Sequence, residues 1–256
     1  MIRWMLFIPC AAFLCILYFH YLDFIFRGKA NVYRINTSAA LTATKKEYRN
    51  TISNLAVFAL TGLLLGFFID GGYTKVYSQT PAQLSSIIYL PASFLLALLV
   101  HDVYFYVTHR LLHLRFWFKQ VHRVHHQSHT TNPWSAFSFH FAECIIQIGI
   151  VPLLAFLFPL HEIVLMLFVF FMMFITVYGH SGYELRPNKH QLFNIFNTSL
   201  HHSQHHQYVH YNFGIYLNIW DRLFASNHPG YHHSFKQLRS VVKFRKEKAK
   251  HPSYGK

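Results

Sequence analysis

Eight histidines in three short clusters are the residues here best able to do chemistry. His109 and His113 are spaced His-x3-His in HRLLH, His122, His125 and His126 follow in HRVHH, and His202, His205 and His206 repeat that second spacing within HHSQHH. On a helix, residues three and four apart share a face, so each cluster is expected to aim its imidazoles at one point. That is metal-ligand chemistry. Eight imidazoles exceed what one four-coordinate zinc ion uses, and neutral imidazole suits iron, zinc, copper and nickel. The count therefore points to two metal ions without naming them.

A carboxylate belongs behind such a ligand set, because ligating histidines commonly give their second ring N–H to one. Asp102 precedes His109 by seven residues and His113 by eleven, which places all three on one face of a helix. Asp102 is the expected outer partner, with Glu143 and Asp221 as further candidates. A structural ion pair with Arg222 or another nearby base is the competing reading of Asp221. His129 and His140 are candidate outer groups. His201 is expected to face away, since its neighbour completes the spacing.

The elements that must position these residues are membrane helices. The chain has 256 residues, 53% of them hydrophobic and 18% aromatic, and only 12% charged. That is too few charges for a soluble domain of this length. Apolar runs Trp4 to Phe26, Ile52 to Ile69 and Ile87 to Val107 each approach the roughly 20 residues a span requires. Shorter runs, Cys144 to Phe158 and Ile163 to Tyr178, form an expected hairpin that leaves and re-enters on one side. The predicted fold is all-α: a bundle of about four or five membrane helices with a histidine-rich helical cap, in a single membrane domain over 1–256. Three N-terminal helices occupy 4–107. The histidine region with its hairpin at 144–178 occupies 108–256.

Basic residues outnumber acidic ones, 23 to 9. In a membrane protein such an excess reports orientation and contact with anionic head groups rather than nucleic acid. The basic 27–50 loop is expected on the cytoplasmic side and the 70–86 loop outside. Helix three then brings His109 back to the cytoplasmic face, and the C-terminal run Lys236 to Lys250 rests there as a solvated tail. Cys10, Cys15 and Cys144 lie in apolar runs and are read as small buried hydrophobes. His20, His101, His161, His190, His210, His228, His232, His233 and His251 lack ligand spacing and are expected at interfaces or in solvent.

The clusters have company that makes them more specific. HRLLH, HRVHH and HHSQHH resemble the boxes of the fatty acid hydroxylase and sterol desaturase superfamily of integral membrane di-iron enzymes. SFHFAE (138–143) resembles its His-Pro-x-Glu element, with Phe141 in place of proline. GHSGYELRP (179–187) resembles its fourth histidine element, and YNFGIYLNIWDRLF (211–224) the signature after the last box. The resemblance runs from about His101 to Phe224 and is nearer the sterol desaturase branch.

It implies that His109, His113, His122, His125, His126, His180, His202, His205 and His206 hold two iron ions. It implies O2 as co-substrate, a lipid from the bilayer as substrate, and a hydroxylated or desaturated product. Electrons would come from a separate reductase with a cytochrome b5 or ferredoxin type carrier. Some relatives carry another histidine where this chain has Glu184, leaving that residue as ligand, outer partner or bystander. The rival readings are a histidine-rich membrane metal transporter, which would need ligands at mid-membrane, or a metal-binding membrane protein, and a membrane zinc hydrolase served by Glu143 or Glu184.

Overall fold

The computed structural model describes residues 1–29, 34–35, 42–79, 84–184 and 195–250. Residues 30–33 and 36–41 of the 27–50 loop, the end of GHSGYELRP and 251–256 lie outside them, and with them His190 and His251. Three long helices open the chain: α1 (Ile2–Lys29), α2 (Lys45–Asp70) and α3 (Leu84–Leu112). Three short turns follow as one helical run: α4 (Arg115–Trp117), a π-helical turn (Phe118–His122) and α5 (Arg123–His126). A 3-10 turn (Pro133–Phe137) leads to the hairpin of α6 (Phe141–Ile148), α7 (Ile150–Leu157) and α8 (Glu162–His180). The cap consists of α9 (Ser199–Tyr208), α10 (Ile219–Leu223) and α11 (Tyr231–Lys250). Among the described residues, pairing outside helices is confined to isolated bridges such as Phe196 with Leu217.

Four helices are long and apolar enough to cross a membrane, at Ile2–Phe24, Lys45–Asp70, Ile88–Leu112 and Glu162–His180, while the apolar stretch Phe141–Leu157 is shorter. α1 and α2 run antiparallel. Gly62 and Gly66 let their backbones meet, since a Cβ at either would strike the main chain of Trp4 or Met1. Small residues at helix contacts are how membrane helices approach closely where lipid removes the hydrophobic drive. The Met1 amine and Arg3 guanidinium reach Asp70, and Arg3 also pairs with Glu162. One end of the bundle thus gathers the N-terminus, the α2–α3 connection and the hairpin tip, where Tyr77 N–H donates to Leu160 O.

The opposite end carries the histidines. Thr44 caps α2 through a capping box with Glu47, whose buried carboxylate also accepts from Ser128 Oγ and Asn132 Nδ2 just beyond the second box. Asn54, inside the second span, donates to the carbonyls of Phe137 and Phe139. A buried amide inside a span is costly unless paired. Here the pairing fixes the 3-10 turn that packs Phe139 against His125, ring centroids 4.9 Å apart. At that end α3 meets α9, the rings of His109 and His205 lying 4.4 Å apart, and α8 meets α9, the rings of His180 and His202 also 4.4 Å apart.

Candidate metal centre

Nine imidazoles converge at that end, in two groups. His109, His113, His122, His126 and His205 form one; His125, His180, His202 and His206 form the other; within each, the ligand-type nitrogens lie within 4.8 Å of one another. The expectation that each cluster serves a single point is corrected here. The i,i+4 pairs 109/113, 122/126 and 202/206 each stay within one group, as helical geometry requires. The odd members cross over: His125 leaves its box for the second group, and His205 leaves its box for the first. The two boxes therefore interlock, with His126 and His206 rings 4.9 Å apart at the seam. The π-helical turn at Phe118–His122 shifts the phase of this run between the break after α3 and the second box, and such turns recur at functional sites.

The hydrogen bonds behind the rings fix their tautomers. Nδ1–H donates to a carbonyl from His109 (Phe213 O, 2.9 Å), His180 (Thr176 O, 2.8 Å) and His205 (Tyr211 O, 2.6 Å). A carbonyl can only accept, so each neutral ring is left with a lone pair on Nε2. Yet His180 Nε2 lies 3.3 Å from His125 Nε2, 3.1 Å from His202 Nε2 and 3.2 Å from His206 Nε2. One lone pair cannot accept three hydrogen bonds, so this convergence calls for a cation. A tetrahedron with edges of about 3.2 Å has its centre about 2.0 Å from each corner, a metal–imidazole bond length. In the first group His126 Nε2 is likewise 3.1 Å from the Nε2 atoms of both His122 and His205, and 3.3 Å from that of His113.

Burial keeps the rings uncharged. It pushes His126 down to about 3 and lowers His113, His122, His125, His202, His205 and His206, with neighbouring imidazoles adding to the effect. At neutral pH the cluster is a set of lone-pair donors with no protons to expel before binding a metal. The fit to a metal pair is good, and the nine predicted ligands are the nine residues the fold assembles.

The outer residues divide. Glu143 is buried and accepts from His122 Nδ1 at 2.8 Å. Asp102 does not back a ring. Its carboxylate instead takes Tyr216 N–H (2.9 Å), Leu217 N–H (3.2 Å) and Trp220 Nε1–H (2.8 Å), because the return strand after the last box passes that face of α3. The acceptor behind His109 is the Phe213 carbonyl, a main-chain atom that residue types do not reveal. Asp221 also misses the ligands: it accepts from the Phe213 and Gly214 N–H groups and Ser226 Oγ, each at 2.8 Å, and a base beside it is His201, 3.5 Å away.

Glu184 belongs to neither group. It takes the Tyr178 hydroxyl at 2.7 Å and Leu200 N–H at 3.3 Å, bracing α9 against α8. His129 and His140 are exposed, and His140 caps α6 by accepting from Ala142 N–H, so neither reaches the centre. Two histidines expected at interfaces are buried instead. His161 caps α8, and His101 lies within the third span with its Nδ1 2.8 Å from Tyr216 Oη. His101 was missed because it has no ligand spacing; its position inside an apolar run was the available signal.

An apolar cavity of about 470 Å³ is lined by Leu95, Leu99 and Phe171 of the spans and by His109, His122, His125, His180 and His202. The fatty acid hydroxylase family model matches residues 94–226, which includes every one of the nine histidines. The chain belongs to the fatty acid hydroxylase family.

Within that family it is 28% identical over 182 residues to human lathosterol oxidase, covering 71% of this chain and 60% of the relative. Mouse lathosterol oxidase is 32% identical over 181 residues, covering 70% and 60%. A Delta(7)-sterol 5(6)-desaturase of Schizosaccharomyces pombe is 29% identical over 152 residues, covering 59% and 48%. The chain spans about three fifths of the length of the lathosterol oxidases it matches. No solved structure matches it. Family membership and four spanning helices make this a multi-pass membrane protein.

Glu143 offers a direct check on this candidate centre. Glu143→Gln keeps the shape but weakens the hydrogen bond that orients His122. It should lower metal affinity about 10- to 100-fold, the usual effect of removing a ligand's outer partner, as read by chelator competition. Unchanged affinity would detach Glu143 from the metals.

Proposed function

We propose that this chain is a membrane-bound di-iron oxidoreductase that uses O2 and external electrons to oxidise a C–H bond of a sterol-like lipid. The observation that carries the reading is the junction of the nine imidazoles with an apolar cavity that five of them line. His109, His113, His122, His126 and His205 would hold one iron and His125, His180, His202 and His206 the other. Bound there, the irons would supply reduction of O2 and abstraction of hydrogen. The protein's own share is positional. Nδ1–H donations to Phe213, Thr176 and Tyr211 carbonyls hold rings in register, the aromatic walls exclude water, and the cavity presents one carbon of the lipid to the metals.

The sterol preference rests on the curated relatives, which are lathosterol oxidases and sterol desaturases. We place the histidine end on the cytoplasmic side, where the basic 27–50 loop and α11 lie, with electrons from a separate carrier docking there. A transporter would need donors along a path through the bilayer, whereas these converge at helix ends. Purified protein expressed with added iron should hold about two irons per chain and convert a Δ7-sterol when given a reductase system. Tag mapping should put residues 36–41 and the C-terminus on one side. Well-folded protein with one metal or none would overturn the oxidoreductase reading, and tags on opposite sides would overturn the topology.

A further inference from the structure

The cavity has a polar pair well below the metal ligands. His101 is buried in the third membrane span, and its Nδ1 lies 2.8 Å from the Tyr216 hydroxyl. Both residues line the cavity. Tyr216 is held at two points of α3, its hydroxyl at His101 and its backbone N–H at Asp102, and its ring packs on Phe171 with centroids 5.8 Å apart. The phenol is thereby fixed before any ligand arrives.

Pairing with each other does not exhaust either group. An imidazole has two ring nitrogens and a phenol two lone pairs as well as its proton, so in either tautomer the pair has both a donor and an acceptor to spare. Placing such groups in an apolar, membrane-embedded wall is costly, and ionisable residues inside spans are generally functional. Of the other polar groups that line the cavity, Asp102 is committed to three N–H donors, Glu143 Oε1 to His122 and the Thr176 hydroxyl to the Met172 carbonyl at 2.8 Å, while Gln147 and Asn197 are single amides outside the third span.

We infer that His101 and Tyr216 form the recognition site for a hydroxyl group on an otherwise apolar lipid substrate. This deepens the proposed oxidoreductase reading and rests on it for the identity of the cavity's occupant. A hydroxyl suits the pair because it both donates and accepts. A carboxylate does not, since no lysine or arginine is among the described residues lining the cavity. His101 precedes His109 by eight residues, about 12 Å of helix rise. The anchored oxygen therefore lies on the order of 12 Å from the metal end, and the oxidised carbon is within about that distance of the alcohol and not at the far end of a long chain.

The test compares binding of a saturated 3-hydroxysteroid and its 3-deoxy hydrocarbon to detergent-purified full-length protein, in wild type, Tyr216→Phe and Gln147→Leu. Gln147 supplies the control because it is a polar lining residue outside the pair. Wild type should prefer the hydroxysteroid by at least about fivefold, the value of one neutral hydrogen bond. Tyr216→Phe should erase that preference and leave hydrocarbon binding unchanged; Gln147→Leu should retain it. The inference is overturned if wild type does not discriminate, if Tyr216→Phe weakens both ligands alike, or if the preference follows Gln147. Iron content of the same samples reports separately on the oxidoreductase reading, because loss of discrimination in Tyr216→Phe would uphold the hydroxyl site even in protein that bound no iron.

Discussion

His125→Ala should strip the four-histidine group of its metal and lower turnover by more than about 100-fold, beyond the upper end of what loss of an outer partner produces. The reason is the interlock. His125 is the single residue that the second box lends to the group built from His180, His202 and His206. Without it three donors remain, and the closest set of Nε2 atoms loses the corner 3.3 Å from His180. His205→Ala makes the reciprocal deletion, but four donors remain in its group. It should cost less metal than His125→Ala, although it also frees the Tyr211 carbonyl that His205 Nδ1–H holds at 2.6 Å. His129→Ala and His140→Ala, at exposed positions, should change neither quantity. Metal analysis of the four variants beside wild type checks the order. Equal losses for His125→Ala and His140→Ala would sink the division into two groups.

What was legible in the sequence follows from what kind of atom carries each role. Ligand imidazoles sit at fixed spacings on helices, so the boxes announced themselves, and apolar runs of span length located the bundle. His180, at the end of α8 and outside any cluster, was recognisable only by resemblance. Periodicity could not show that His125 and His205 exchange groups, because the exchange depends on how two helices from distant parts of the chain face each other. The outer partners failed for a related reason. Asp102 has the phase of a backing carboxylate, but the Tyr216–Trp220 segment reaches its oxygens, and His109 turns to a carbonyl. Main-chain acceptors leave no trace in residue types. Glu143 succeeded because it begins an amphipathic turn whose buried side meets His122. A histidine inside an apolar run, such as His101, was a signal of burial that ligand spacing alone passes over.

Asp221→Ala should be the most damaging change outside the nine histidines. The carboxylate is fully buried and gathers Phe213 N–H, Gly214 N–H and Ser226 Oγ–H, each at 2.8 Å. Alanine leaves the Phe213 and Gly214 N–H groups unpaired in a place water does not reach, at roughly 1–3 kcal/mol for each buried group left unsatisfied, and leaves the Ser226 hydroxyl only Tyr106 Oη, 3.0 Å away. A stability loss of about 3 kcal/mol or more is therefore expected, read as a lowered unfolding midpoint in detergent. The loss should extend to the metals through one atom. Phe213 gives its N–H to Asp221 and its carbonyl to His109 Nδ1–H at 2.9 Å, so releasing the first loosens the second. Asn212, at φ 61°, holds the turn from the other side by donating Nδ2–H to the His201 carbonyl at 3.0 Å, and that alone cannot restore the register. Asp221→Asn separates shape from charge. One oxygen can still accept from Phe213 and Ser226, but an amide NH2 facing the Gly214 N–H sets donor against donor. Asparagine should thus fall between wild type and alanine in both midpoint and metal retention. If Asp221→Ala lowers the midpoint while metal affinity at the five-histidine group is untouched, the path through Phe213 to His109 is wrong and Asp221 serves only to close the turn.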